Sequence, residues 1–238
     1  MNVLLTGHKG FIGSKLKLRL EQLKFNVIGI DKQEGNDLLD CDLPRQVDFV
    51  IHLAGKSGVR ESLKDPGAYW INNIEASRRL FDKYRGKRIV YASSSSQYEP
   101  HLNPYAASKY CLESLASRYP HMLGLRLHTV YDDTPRKGMF FDKLKNGSLE
   151  YVTNHTRDFI HMEDCISAIE LLIFNPEIDG TIDVGTGHSV RIRDLVDKNL
   201  PIKIYTPNER QDTLADITKL KSLGFTPKHL TPRIEVIK

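Results

Sequence analysis

The 238-residue chain is long enough for one α/β core and a smaller lobe, which excludes a large multidomain protein. Its 34 Lys and Arg are dispersed among 30 Asp and Glu, so the net charge of +4 predicts no nucleic-acid partner. The three cysteines are widely spaced, and no apolar run reaches the roughly 18 residues of a membrane span. We therefore expect a cytoplasmic protein with no membrane partner, no disulfide and no metal site.

Strand and helix signals alternate from the first residues onward. Apolar residues 3–5 predict a strand, a helical pattern covers 14–24, and apolar residues 27–30 predict a second strand. Further strands are predicted at 49–51, 89–92 and 123–127, and helices at 69–84, 105–118 and about 140–145. This alternation predicts an α/β fold of the Rossmann type, a doubly wound parallel sheet. We expect residues 1–130 to form the nucleotide-binding domain with the catalytic residues, and 131–238 a small C-terminal substrate-binding lobe with segments that pack back on the sheet.

A glycine-rich turn joins the first predicted strand to the first predicted helix. Gly7, Gly10 and Gly13 give G-x-x-G-x-x-G, the spacing of a turn whose backbone approaches a dinucleotide pyrophosphate. Asp31 ends the second strand, where a carboxylate can accept hydrogen bonds from ribose hydroxyls and repel a 2′-phosphate. The pattern favours NAD over NADP, while Lys32 beside Asp31 opposes that preference. The alternative is a glycine turn with a structural role only.

A tyrosine and a lysine four residues apart predict an acid–base pair. Tyr105 and Lys109 lie on one face of a predicted helix, and a nearby ammonium lowers the pKa of a phenol towards the range of a general base. The run 93–96 consists of serines, and a hydroxyl there can bond the same substrate oxygen as the phenol. The alternative for this run is a flexible polar loop.

Taken with the segments 52–55, 91–98, 157–161 and 215–225, these motifs resemble the extended short-chain dehydrogenase/reductase superfamily, in its NAD-dependent nucleotide-sugar epimerase/dehydratase branch. The resemblance implies NAD as cofactor, Tyr105, Lys109 and Ser94 as catalytic residues, a UDP-linked nucleotide sugar as substrate, and a homodimer. The cofactor-binding residues that it implies are Gly7, Gly10, Phe11, Ile12, Gly13, Asp31, Asp42, Leu43, Leu53, Ala54, Gly55, Asn73, Tyr105 and Lys109. Asp37 with Leu38 is the alternative to Asp42 with Leu43.

Two further segments resemble signatures of the UDP-glucuronate 4-epimerases, namely 58–66 and 124–139. The serine triplet 94–96 also lacks the acidic residue that dehydratases and decarboxylases of this branch carry there. The resemblance therefore implies an isomerase that interconverts UDP-glucuronate and UDP-galacturonate by transient oxidation and re-reduction at C4. The substrate-binding residues that it implies are Ser95, Ser96, Thr129, Arg136, Arg157 and Arg210.

The sequence also departs from this pattern beside the expected substrate. The stretch from Ser94 to Tyr105 is shorter than in the family, Glu99 replaces a glycine, and Asp132-Asp133 replace a glycine-proline pair. The alternatives are therefore another nucleotide-sugar dehydratase, decarboxylase or reductase of the same family, or a non-catalytic NAD-binding regulatory protein.

Overall fold

The computed structural model describes residues 1–197, 199–204 and 206–232. The chain divides into two compact units, each built from two stretches of sequence. The first unit comprises Met1–Arg126 and Leu172–Ile182, and the second comprises Leu127–Leu171 and Asp183–Lys238.

Strands and helices alternate along most of the first unit. The strands are β1 (Asn2–Thr6), β2 (Asn26–Ile30), β3 (Phe49–His52), β4 (Arg88–Ser94), β5 (Met122–Leu127), β6 (Thr129–Tyr131), β7 (Val152–Thr153), β8 (Thr156–His161), β9 (Gly180–Val184), β10 (Ser189–Arg191) and β11 (Ile202–Lys203). The helices are α1 (Phe11–Gln22), α2 (Val59–Lys64), α3 (Pro66–Trp70), α4 (Ala76–Lys83), α5 (Pro104–Ala116), α6 (Phe140–Lys145), α7 (Met162–Ile173) and α8 (Thr218–Ser222).

The main sheet has the strand order β2-β1-β3-β4-β5-β9. Strand β1 pairs in parallel with β2 on one side and β3 on the other, and β3 pairs in parallel with β4. The winding direction reverses at β1, and such a switch point opens a crevice outside the carboxyl ends of the strands. The Rossmann-type α/β fold with a parallel sheet, predicted from the sequence, is confirmed.

The central strands are apolar along their whole length because both faces of the sheet are covered. Leu4, Leu5, Val50 and Ile51 have no exposed surface. Helix α1 packs through residues at helical spacing, of which Leu16 is fully buried. The rigid sheet therefore fixes where the loops at its carboxyl end begin.

A single turn of π-helix interrupts the helical stretch between α3 and α4. Pro66 occupies the first turn of α3, and the Asp65 carboxylate caps that helix by accepting the N–H of Ala68 at 3.1 Å. The π-turn covers Ile71–Glu75 and places Asn73 in the interior, with 1% of its surface exposed. Such turns insert one extra residue per hydrogen-bonded ring and are frequent at functional sites.

The second unit is built on two small sheets, with strand orders β10-β8-β6 and β11-β7. Tyr131, Phe141 and Phe159 form a buried aromatic cluster beside the first of them. The buried carboxylate of Asp158 accepts hydrogen bonds from four groups that belong to two distant loops, at 2.8–3.1 Å: the N–H and hydroxyl of Thr186, and the N–H groups of Gly187 and Ala215. These bonds tie the loops to β8.

None of the helices in the described part of the chain is both long enough and apolar enough to cross a lipid bilayer.

Candidate active site

The glycine-rich turn after β1 forms a tight cradle at the switch point of the sheet. Gly7 has a φ of +73°, and its N–H donates to the carbonyl of Ile30 at 2.9 Å. A Cβ on Gly13 would lie 2.0 Å from the carbonyl oxygen of Gly7, and one on Gly7 would lie 2.6 Å from the nitrogen of Ala54. Side chains are therefore excluded, and backbone N–H groups at the start of α1 remain approachable. This geometry fits the pyrophosphate of a dinucleotide.

The remaining predicted cofactor residues of this region open α1 or follow β3. They are Gly10, Phe11, Ile12, Leu53, Ala54 and Gly55.

Asp31 lies directly after β2 and is 8% exposed. One carboxylate oxygen accepts the N–H of Lys9 at 2.9 Å and the other accepts the N–H of Gln33 at 2.9 Å. The carboxylate is thereby fixed beside the glycine-rich turn, where it can accept hydrogen bonds from ribose hydroxyls.

The two segments predicted as alternatives for the adenine contact have different surroundings. Leu38 is 7% exposed and belongs to the hydrophobic core, while the Asp37 carboxylate pairs with Lys32. Asp42 is exposed, and it lines an open pocket on the protein surface together with the half-buried Leu43. The contact with adenine by Asp42 and Leu43 remains a prediction.

Tyr105 and Lys109 lie one turn apart near the start of α5. The Asn103 side chain caps this helix by accepting the N–H of Ala106 at 2.8 Å. Lys109 is 5% exposed, and its Nζ donates to the carbonyl of Ala92 on β4 at 2.8 Å. Burial lowers the pKa of Lys109 to about 8, an effect that the negative charge of Glu113 partly offsets.

The predicted Gly55 and Asn73 converge on the same lysine. A Cβ on Gly55 would lie 2.9 Å from the Asn73 amide oxygen and 3.7 Å from Lys109 Nζ. The Asn73 side chain accepts the N–H of Lys56 at 2.7 Å, and its amide nitrogen donates to the Lys56 carbonyl at 3.0 Å and the Ser108 hydroxyl at 2.9 Å. The π-turn therefore joins the loop after β3 to helix α5 through Asn73.

The serine triplet forms an ordered turn at the end of β4. Ser94 is the last residue of this strand, and Ser95 begins a short 3₁₀ helix that extends to Tyr98. The Ser94 hydroxyl oxygen accepts the N–H of Ser96 at 3.1 Å. Ser94 and Ser95 are buried, with 6% and 8% of their surface exposed. The turn is thus a defined element of the fold rather than the flexible polar loop considered above.

Arg157 and Arg210, both predicted to bind the substrate diphosphate, lie close together in the second unit. The Arg157 guanidinium donates to the carbonyls of Thr156 and Gln211 at 2.8 and 3.0 Å. Burial lowers its pKa, and the positive charge of Arg210 acts in the same direction against that of Glu209. Two adjacent guanidinium groups form a positive site that is suited to a diphosphate.

The other two residues predicted to contact the substrate in this unit lie at β6 and beyond it. Thr129 opens β6 and is opposite Phe159 in the register of β6 with β8. Arg136 is exposed in the loop between β6 and α6. Their contact with a sugar remains a prediction.

Comparison with known proteins identifies the family to which these elements belong. The profile of the NAD-dependent epimerase/dehydratase family matches residues 3–185. The chain belongs to this family. The predicted resemblance and the predicted cofactor, NAD, are confirmed at this level, and the family is one of enzymes.

Individual relatives of this epimerase/dehydratase chain carry epimerase names. A Bacillus subtilis protein named as an uncharacterised UDP-glucose epimerase, YtcB, is 29% identical over 94% of this chain and 92% of its own length. UDP-glucuronate 4-epimerase 6 of Arabidopsis thaliana is 30% identical over 71% of this chain and 51% of its own length. The crystal structure of a UDP-glucuronic acid 4-epimerase from Bacillus cereus with UDP-glucuronic acid and NAD has a TM-score of 0.83 and 27% identity, and the match covers 96% of this chain and 95% of that one.

An ion pair behind the catalytic helix of this epimerase/dehydratase chain was not predicted. Glu113 lies one turn beyond Lys109 on α5, and its carboxylate accepts two or more hydrogen bonds from Arg126 of β5 at 2.7–3.2 Å. The Ser93 hydroxyl donates to the same carboxylate at 2.5 Å, and Arg126 also donates to the Tyr98 hydroxyl at 2.9 Å. The network joins α5 to both ends of the serine turn. The only sequence signal was the spacing of Glu113, four residues after Lys109.

A buried histidine beneath the cofactor side of the site also escaped prediction in this role. His52 Nε2 donates to the Ser77 hydroxyl at 2.8 Å, because that hydroxyl itself donates to the Asn73 carbonyl, and His52 Nδ1 accepts from Thr6 at 2.7 Å. Burial, assisted by the charge of Lys109, lowers the pKa of His52 to about 3. His52 is therefore a neutral structural link between β1, β3 and α4.

His161, Glu163 and His229 of the second unit form a cluster that the sequence did not single out. Their potential ligand atoms lie within 4.8 Å of one another. His161 Nδ1 accepts the N–H of Glu163 at 3.3 Å, and His229 Nδ1 lies 3.1 Å from a carboxylate oxygen of Asp164. The two rings also stack, with centroids 4.2 Å apart. We assign these protein contacts as the structural role of both histidines.

Proposed function

We propose that this chain is a UDP-sugar 4-epimerase whose substrate pair is UDP-glucuronate and UDP-galacturonate. The observation that carries the proposal is the acid–base helix α5, in which Tyr105 is followed one turn later by the buried Lys109. The names of the relatives and the sequence signatures at 58–66 and 124–139 support the choice of a uronate. The serine triplet supports epimerisation over dehydration, because no carboxylate follows β4 to assist the loss of water.

NAD held at the glycine-rich turn would accept a hydride from C4 of the sugar and return it to the opposite face of the ketone. The protein residues move the proton that accompanies this exchange. Tyr105 removes the proton from the 4-hydroxyl and later returns it to the same oxygen. Because the pKa of Lys109 is about 8, its ammonium is mostly protonated at neutral pH and stabilises the phenolate.

Ser94 orients the oxygen that gains and loses this proton. Its hydroxyl oxygen already accepts the N–H of Ser96, so its own proton can be donated to the substrate oxygen. Ser95 and Ser96 continue the same ordered turn and are proposed to contact the sugar. Arg157 and Arg210 are proposed to bind the diphosphate, and Arg136 together with Thr129 the carboxylate and ring of the uronate.

The test is incubation of the purified protein with UDP-glucuronate without added reductant, followed by proton NMR of the nucleotide sugars. Appearance of UDP-galacturonate supports the proposal, and Tyr105→Phe is expected to lower kcat by at least about a thousandfold while NAD stays bound. Tyr110→Phe is the matched control, because it removes an exposed phenol from the same helix. An unchanged UDP-glucuronate spectrum, with UDP-glucose converted instead, would contradict the uronate assignment alone.

We further propose that the enzyme is a homodimer that associates through α3, the π-turn and α5. These elements expose large apolar side chains, with Trp70 and Tyr110 both 50% exposed and Ile71 45% exposed. Clustered exposed apolar side chains are typical of association surfaces. Analytical ultracentrifugation tests the proposal: the wild-type protein should sediment as a dimer and the Trp70→Asp variant as a monomer.

A cytoplasmic location is also proposed. It is supported by the free thiols of Cys41, Cys111 and Cys165, which a reducing compartment maintains. Cell fractionation with the tagged native protein tests this assignment, and recovery in a membrane or secreted fraction would contradict it.

A further inference from the structure

Two lysines flank the carboxylate that is expected to bind the adenosine ribose. Lys32 follows Asp31 directly, and Lys9 belongs to the glycine-rich turn and donates its backbone N–H to the Asp31 carboxylate at 2.9 Å. Ammonium groups in such positions are suited to binding the 2′-phosphate that distinguishes NADP from NAD. The chain therefore places cations for a phosphate beside a carboxylate for hydroxyls.

Each of these lysines is engaged by a carboxylate from the segment that follows β2. Lys9 Nζ lies 2.8 Å from Glu34 Oε1, and Lys32 Nζ lies 2.6 Å from Asp37 Oδ2. With Asp31 included, three negative charges surround two positive ones, and the net charge beside the ribose position is −1. A 2′-phosphate, which carries close to two negative charges, would meet net repulsion.

Glu34 is held in place from a second side. Its Oε2 lies 3.1 Å from Nε2 of His8, whose side chain is 3% exposed and packs against Gly29 of β2. The pair with Glu34 raises the pKa of Lys9 and lowers that of Glu34, so both groups are charged at neutral pH. The pKa of Asp37 is lowered in the same way by Lys32.

We propose that Glu34 and Asp37 determine the preference of this enzyme for NAD over NADP, by holding Lys9 and Lys32 in ion pairs that withdraw them from a 2′-phosphate. Asp31 acts directly on the ribose, whereas these two carboxylates act through the lysines. The inference rests on the part of the proposed function that assigns a dinucleotide to the glycine-rich turn. It does not depend on which sugar is epimerised.

The discriminating variant is Glu34→Gln combined with Asp37→Asn. Both amides keep the size of the side chain and an oxygen that accepts hydrogen bonds, and both remove one negative charge. The two ion pairs are largely solvent-exposed, so their loss is expected to leave the fold intact. Glu21→Gln is the matched control, because it removes a carboxylate paired with Lys17 at 3.8 Å on the outer surface of α1.

The measurement is the Kd of nucleotide-stripped full-length protein for NAD and for NADP by isothermal titration calorimetry, with circular dichroism as the check on folding. The wild-type protein is expected to favour NAD strongly. The double variant should bind NADP about tenfold to a hundredfold more tightly, with the Kd for NAD changed less than about threefold. Glu34→Gln alone should give part of this gain, and Glu21→Gln none.

An unchanged ratio of the two Kd values in the folded double variant would overturn the inference. Equal weakening of both nucleotides would also overturn it, because the carboxylates would then shape the site without selecting the nucleotide. Wild-type protein that binds neither nucleotide would instead refute the dinucleotide assignment on which the proposed function depends.

Discussion

The buried lysine of the acid–base helix should leave a measurable signature in the pH dependence of stability. Burial lowers the pKa of Lys109 to about 8, against 10.5 for an exposed lysine. Between these two pH values the unfolded chain binds a proton that the folded chain has lost, so the free energy of unfolding rises with pH across this window. The contribution amounts to about 2–3 kcal/mol between pH 7 and pH 10.

The Lys109→Met variant removes this titration. Urea unfolding of nucleotide-stripped wild-type and variant proteins at pH 7 and pH 10 gives the free energies to compare. Wild-type stability relative to the variant should rise by about 2–3 kcal/mol between the two pH values. The lost hydrogen bond to Ala92 adds an offset of about 1 kcal/mol that does not change with pH.

The control is Lys87→Met, because Lys87 is exposed and its stability difference from wild type should stay constant with pH. A Lys109→Met difference that also stays constant would refute the depressed pKa. A difference that narrows towards pH 10 would mean that folding raises the pKa, and Lys109 would then have to be strongly stabilised by a negative charge.

Three other perturbations test separate parts of the structure. His52→Gln should remove the acid sensitivity caused by a folded pKa of about 3: the wild-type protein should lose about 3 kcal/mol more stability than the variant between pH 7 and pH 4 in urea unfolding. A double-mutant cycle with Arg126→Met and Glu113→Gln should give a coupling energy of about 1–3 kcal/mol, and a value near zero would contradict the shared network. Gly13→Ala should abolish NAD binding in calorimetry, since its Cβ would lie 2.0 Å from a carbonyl oxygen of the turn, whereas Gly67→Ala, with space for a Cβ, should bind NAD normally.

The parts of the fold predicted from sequence are those with a strong local cause. Continuous apolar runs can form buried strands in only a few ways, which is why β1, β3 and β4 were located within a residue or two. The glycine spacing of the first turn was equally informative, because each position excludes a Cβ for a steric reason visible in the structure. Helix α5 was located from the requirement that Tyr105 and Lys109 share a face.

The parts that were not predicted depend on residues distant in sequence. The Glu113–Arg126 pair joins a helix to the next strand, and no pattern within either element specifies it. The π-turn at Ile71–Glu75 has no strong compositional signal, since it is set by what Asn73 bonds across the fold. The opposition between Lys32 and Asp31 looked unresolved in the sequence, because Lys32 meets Asp37 only once the chain has turned after β2.

The order in which the main sheet is completed has a consequence for the synthesis of the protein. Strand β9, which borders β5, emerges from the ribosome about fifty residues after β5 does. At about 5–20 residues per second, β5 therefore waits for several seconds as an unpaired edge, and unpaired edges can recruit strands from other chains. A nascent chain stalled in this interval is the form of the molecule most exposed to aggregation, and the one that a chaperone would have most reason to bind.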